Sequence, residues 1–405
     1  MPYRPYPVAM GIRVMIPILA VAALTASLFF IGTNIVVFSV ALGLLIAAVA
    51  IVLWRAHSET ISVPRSMLTV SLTLFWLWLA VTLLWTPVSF VSTTMFWWVS
   101  ALPLGFWLYT LQPARTRAWP RLVSLSLLVG YGLVLTGAFQ RLVRSEAPQS
   151  AFLDVNIQAA VLMLMALPAG GYMLRMGAAR RAGGPSAAGA GTRKSGRRWD
   201  TRLTVLLGFS FLLLVYGLML TRSRGGILAF FVGTAVLLVM AARHVPRKWL
   251  AIYAGLVALA FLLADLSWGG ALVGRIADSF QDIHRAGTGR FAIWRESWRL
   301  LFEQSPLWGI GLGLYSLVWP PYRAPEDASG GYFAHNDYLQ IWIETGLPGL
   351  LLLLAVLIGA ARMVWLALRR DNLLGAVRIE IAGLSAGLVA IATHSFVQYN
   401  FYVIP

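Results

Sequence analysis

The sequence predicts an all-α polytopic membrane protein, and three observations carry that expectation. Apolar residues make up 59% of the chain and charged residues only 12%, a balance foreign to soluble domains of this length. The apolar residues fall in runs of about 18–25, the length a helix needs to cross a bilayer core. The runs also lack the apolar–polar alternation of barrel strands.

Taken in order, spans are expected over 12–31 and 34–54, a hairpin joined by Gly32-Thr33, and then over 66–85 and 91–111. The next are 122–140, 156–174, 203–220, 226–242 and 249–267. After a long polar stretch come 339–368 and 379–396. The terminal Tyr399-Asn400-Phe401-Tyr402 reads as the approach to one more helix, so the expected total is about 11–12 transmembrane helices in one domain, 1–405. No cleavable signal peptide is expected, because the first run is long enough to span and another follows at once.

The formal charge of +17 would suggest nucleic acid in a soluble protein. In a membrane protein Lys and Arg instead collect in cytoplasmic loops. With the N-terminus inside and the spans alternating, most of the 32 Lys and Arg fall on one side. The Gly/Ala/Ser-rich stretch 175–202 carries Arg180, Arg181, Arg193, Lys194, Arg197 and Arg198. It reads as a flexible basic cytoplasmic loop, and no nucleic-acid partner is expected. The turn at Arg222 and Arg224, the Asp154 loop and the long loop 268–338 share the opposite face, which is external, or periplasmic in a bacterium.

That long loop is expected to serve as a lid and as part of an active site, since loops of this length are more often functional than incidental. Within it Phe291, Trp294, Trp298, Leu301 and Phe302 recur at helical spacing, with Arg295, Glu296 and Arg299 largely opposite. The pattern predicts an amphipathic helix at the membrane interface. Arg290 opens it. The Gly309-Ile310-Gly311-Leu312-Gly313 stretch is a turn signal, but a weak phosphate loop without its strand-to-helix context.

Two places carry chemistry. In Thr221-Arg222-Ser223-Arg224-Gly225-Gly226 two arginines stand at the mouth of adjacent spans, where they are costly unless they meet anions. The guanidinium fork suits phosphate, and the helix that follows offers its N-terminus to an anion. The plainer alternative is a pair of arginines reaching lipid headgroups. His335 is the best candidate base, since a neutral imidazole accepts a proton near physiological pH; Asp337 and Glu344 are close enough in sequence to orient it. His57 and His244 lie on the basic side, His284 has no partner motif, and His394 reads as structural or supporting.

Neither a metal nor a cofactor is expected: no two histidines have ligand spacing, and the chain has no cysteine. A transporter is disfavoured by the lack of an intramembrane chain of acids and of matching broken helices.

Five motifs in register now carry a resemblance. They are Thr221 to Gly226, Gly289-Arg290 to Trp294, and Trp308 to Gly313, followed by His335-Asn336-Asp337-Tyr338-Leu339-Gln340 and Glu344-Thr345-Gly346. Together they resemble the bacterial O-antigen ligase family, which also takes in O-antigen polymerases and protein O-oligosaccharyltransferases. Phe152-Leu153-Asp154-Val155-Asn156 and His394-Ser395 are similar to its weaker motifs. The likeness runs from about residue 150 to the end; the first five spans fit only in being hydrophobic.

The resemblance implies a metal-independent, inverting glycosyltransferase of the membrane-embedded, GT-C-like class, acting in lipopolysaccharide biosynthesis at the bacterial inner membrane. Its donor would be a polysaccharide on undecaprenyl diphosphate and its acceptor a lipid A–core sugar hydroxyl. By the same resemblance His335 is the general base, and Arg222, Arg224 and Arg290 contact the diphosphate. Asn336, Asp337, Tyr338, Glu344, Trp294 and His394 support them. A polymerase or protein glycosylase of the same family, a more distant cell-wall glycan polymerase, and a lipid-linked glycan transporter are the competing readings.

Overall fold

The computed structural model describes residues 65–110, 118–150, 152, 154–181, 201–281, 289–325, 327, 330–370 and 373–402. The expected spans 12–31 and 34–54, together with His57, His284 and most of the basic loop, lie outside them. Every regular element among the described residues is helical, and seven helices are long and apolar enough to cross a membrane. The chain is an all-α polytopic membrane protein.

The described residues form α1 (Met67–Val81), α2 (Ser89–Val99), α3 (Ala101–Thr110), α4 (Ala118–Leu142), α5 (Val155–Arg181) and α6 (Thr201–Leu220). They continue with α7 (Arg224–Ala241), α8 (Arg247–Ser267), α9 (Ala271–Gln281), α10 (Arg290–Gln304), α11 (Tyr315–Val318), α12 (Asp337–Leu368) and α13 (Gly375–His394). Most of the expected spans are met to within a few residues. The expected span 91–111 is instead two helices meeting at Ser100. The basic loop begins later than expected, because α5 continues to Arg181.

The chain separates into two compact units. Unit 1 holds 1–129, 287–363 and 398–405; unit 2 holds 130–286 and 364–397.

Unit 2 is built around α5, whose Ala159, Ala160, Leu162, Met163, Ala166, Leu167 and Leu174 have no exposed surface. With lipid tails as apolar as leucine, helices in a membrane associate by close packing of small residues. The crossing of α5 and α13 shows this directly: a Cβ on Gly171 would lie 2.8 Å from Gly383 Cα. Glu380 anchors the same pair of helices, accepting from Arg175 at 2.7 Å and from the Tyr172 hydroxyl at 2.7 Å. Outward-facing Val205, Leu228 and Val239 stay exposed, as lipid-facing positions do.

In unit 1 two chain segments cross backbone to backbone. The amides of Ile310 and Gly311 donate to the carbonyls of Ile343 and Glu344 at 3.0 and 2.9 Å. A Cβ on Gly309 would meet the Glu344 carbonyl oxygen at 2.5 Å. Opposite it, Gly346 breaks α12 with φ 72° and ψ −179°, against the Leu307 carbonyl. Gly309 therefore serves the close approach of these two segments. Gly346→Ala is expected to lower the melting temperature clearly. This positive-φ, extended-ψ conformation is essentially confined to glycine and costs about 1–3 kcal/mol for a residue with a Cβ, and the overlap with Leu307 adds to it. Gly255→Ala on α8, where a Cβ meets nothing within 4 Å, should leave thermal stability unchanged or slightly raised.

The long loop is more ordered than its composition suggests. It contains α10 as predicted and also α9, whose alternating charges and aliphatics hid it. Helix α10 turns two apolar sides outward and inward. Phe291, Trp298 and Phe302 are exposed, whereas Ile293, Leu300 and Leu301 are buried with Tyr315, Trp319 and Ile343.

Candidate active site

His335 belongs to unit 1 and sits just before α12. Its backbone is left-handed, with φ 50°, a conformation that non-glycine residues hold only where their surroundings impose it. Those surroundings are visible one residue upstream. The Ala334 amide donates to Gln340 Oε1 at 3.0 Å, and the Ala334 carbonyl accepts from Trp294 Nε1 at 3.0 Å. Asn336 then caps α12, its Oδ1 accepting from the Leu339 amide at 3.1 Å.

Glu344 supports this arrangement at one remove. It is fully buried and accepts from the amides of Gly313 and Tyr315, from Gln340 Nε2 and from the Tyr402 hydroxyl. Through Gln340 it fixes Ala334 and so the histidine's backbone; its own bonds do not go to the imidazole.

Asp337, also fully buried, accepts the amides of Asn400 and Phe401. These two carboxylates tie down the segment 398–402, which ends in a 3-10 turn over Asn400–Tyr402. This segment forms one wall of the His335 site. Tyr399 stacks on Phe333 at 4.1 Å and meets the His335 ring edge-on at 5.0 Å. Tyr338 lies edge-on to Phe401 at 6.3 Å.

Arg290, at the start of α10, comes to the same place. Its Nη2 lies 3.4 Å from Gln398 Oε1, and His335 Nδ1 lies 3.4 Å from that same oxygen. Sequence reasoning missed Gln398.

Unit 2 carries the second set. Arg222, like His335, has a left-handed backbone, φ 55°. Ser223 is the N-cap of α7, its hydroxyl accepting from the Gly226 amide at 3.1 Å and donating to Asn156 Oδ1 at 2.6 Å. Asn156 is in turn held by Asp154 Oδ1, which accepts from its amide and side chain at 2.7 and 2.8 Å. The Asp154–Asn156 motif thus positions the arginine turn. Arg224 occupies the first turn of α7, where a cation opposes the helix dipole and an anion is favoured. His394 is buried at the end of α13, close enough that a Cβ on Gly225 would touch its ring at 3.3 Å.

Two further residues join Arg222. The guanidiniums of Arg141 and Arg222 lie 3.8 and 4.4 Å from the Trp268 ring centre. Partial burial first, and then the like charges of Arg275 and Arg141, hold the Arg222 guanidinium below the ordinary arginine value. The buried Nε atoms of Arg141 and Arg222 have no hydrogen-bond partner among the described residues. Crowding cations in this way costs energy unless an anion offsets it. Arg141 and Trp268 carried no motif; only the excess of arginine on the otherwise basic-poor side hinted at them.

Among the described residues no group of three or more His, Cys, Asp or Glu is arranged to hold a metal ion.

The fold defines a multi-pass α-helical membrane protein. Residues 209–354 match the family model described as O-antigen ligase, the stretch that holds every one of the five motifs. The match supports the O-antigen ligase family. No curated protein matches the chain.

Proposed function

We propose that the chain is an O-antigen ligase, transferring polysaccharide from undecaprenyl diphosphate to a sugar hydroxyl of lipid A–core. The observation that carries this reading is the arginine cluster on Trp268, a set of like charges with unmet donors, of the kind a diphosphate answers. Arg222, Arg224 and Arg290, with Arg141 added, bind the leaving diphosphate, and Arg290 also stands beside the base.

His335 removes the proton from the acceptor hydroxyl. The hydroxyl oxygen bonds to the anomeric carbon from the face opposite the diphosphate, and the carbon–oxygen bond to the diphosphate breaks, so the anomeric centre inverts. Arginines offset the charge that develops on the departing group, and the reaction then needs no metal. The site faces the periplasm from the inner membrane, in keeping with the distribution of Lys and Arg. A polymerase or a protein O-oligosaccharyltransferase would share all of this and differ in the acceptor.

The test mixes purified protein with undecaprenyl-diphosphate-linked polysaccharide and either lipid A–core, a second copy of the glycan, or a Ser/Thr peptide. Transfer to lipid A–core in chelator, without an ion gradient, is the expected result. Transfer only to glycan or peptide reassigns the acceptor. Loss of activity in chelator with recovery on adding a divalent metal overturns the arginine account, and absence of transfer to any acceptor returns the transporter reading.

A further inference from the structure

We propose that Gln398 is a positioning residue of the transfer reaction, holding His335 in the tautomer protonated at Nδ1 so that Nε2 takes the acceptor's proton. The inference rests on the reading of His335 as the base and assigns which of its two nitrogens acts and what decides it.

A guanidinium can only donate, so the atom of the Gln398 amide that faces Arg290 must be its oxygen. This removes the usual ambiguity between the amide's oxygen and nitrogen. The same oxygen, Oε1, lies 3.4 Å from Arg290 Nη2 and 3.4 Å from His335 Nδ1. A nitrogen that meets an acceptor must carry the hydrogen, so Nδ1 is protonated. A neutral imidazole has only one such hydrogen, which leaves the lone pair on Nε2. Both contacts are long, as hydrogen bonds of catalytic groups often are before substrate binds.

Gln398 is well placed for the task because it cannot wander. It has no exposed surface, and the segment that carries it is pinned by Asp337 at Asn400 and Phe401 and by Glu344 at Tyr402. The neighbouring Tyr399 packs its ring against both Phe333 and His335. Among the described residues Arg290 meets the shared oxygen, the Tyr399 phenol ring lies edge-on to the imidazole, and Asp337 and Tyr338 follow in the chain at the start of α12. A neutral amide among them orients the ring without adding charge.

The experiment compares His335→Ala, Gln398→Leu and Gln398→Glu for transfer rate against pH, donor binding and thermal stability. His335→Ala is expected to be inactive. Gln398→Leu removes the acceptor and should lower kcat by about 10–100-fold, the range known for losing the hydrogen-bond partner that orients a metal-binding histidine, with donor binding kept. Gln398→Glu keeps an acceptor facing both partners, so most of the turnover should return. Its carboxylate favours the imidazolium, so the acidic limb of the pH profile should move up by about one unit. A purely structural glutamine would not shift that limb. If Gln398→Leu loses stability, the profile of Gln398→Glu decides alone. A limb that stays in place, or a Gln398→Leu protein with wild-type turnover, overturns the positioning role while an inactive His335→Ala leaves the base reading standing. An active His335→Ala removes both.

Discussion

His335→Ala is expected to lower transfer by about 10²–10⁴-fold, the range that general base catalysis contributes, while binding of the lipid-linked donor is retained. On the proposed reading the imidazole serves the acceptor hydroxyl, whereas the prenyl tail and the diphosphate supply donor affinity, the latter through Arg222 and Arg224 of unit 2. His394→Ala is the comparison. That ring is buried against Gly225, where it supports the arginine turn, so its loss should be milder and should weaken donor binding first. Transfer rate and donor binding, measured for both variants in one detergent, decide the matter. A normal His335→Ala, or one that loses donor binding in step with activity, is not missing its base. An inactive His394→Ala beside an active His335→Ala would exchange their roles.

Arg224→Lys and Arg290→Lys are expected to cut transfer by about 10²–10³-fold each, the usual cost of removing one donor from a developing anion, with protein levels unchanged. Lysine keeps the charge and loses the planar fork that can grip two phosphate oxygens at once. For Arg224 the geometry is demanding, because it stands in the first turn of α7 directly after the Ser223 cap, and a flexible ammonium would not hold the same direction. For Arg290 the fork also reaches Gln398, so its loss should disturb the base as well. Near-normal transfer in both variants would make these arginines anchors to lipid headgroups.

Much of the architecture is legible along the chain, since hydropathy is a local sum that needs no partner. Spans such as 203–220 and 249–267 emerge within a residue or two of α6 and α8. The motif residues are legible for a related reason: Arg222, Arg224, Arg290 and His335 are chemically out of place in so apolar a sequence. The break at Ser100 is harder, because a run of tryptophan, phenylalanine and leucine stays hydrophobic whether it is one helix or two. Helix α9 is concealed in the same way, by a composition that suits a loop equally well.

The sequence by itself therefore determined the membrane class and most of the helices, and it singled out His335 and the arginines as candidates for chemistry. Only the tertiary structure decided what those residues touch. Gln398 is separated from His335 by 63 positions and from Arg290 by 108, and no periodicity reaches that far. Glu344 lies close to the histidine in sequence, yet it acts through Gln340 and Ala334, because a buried carboxylate takes whichever donors the fold brings to it. The Trp268 ring joins Arg141 and Arg222 only once α4 and the end of α8 are packed beside the turn. Hydrophobic burial is non-directional and can be read from the order of residues, whereas a hydrogen bond needs two groups at a set distance and angle, and only the folded chain sets those.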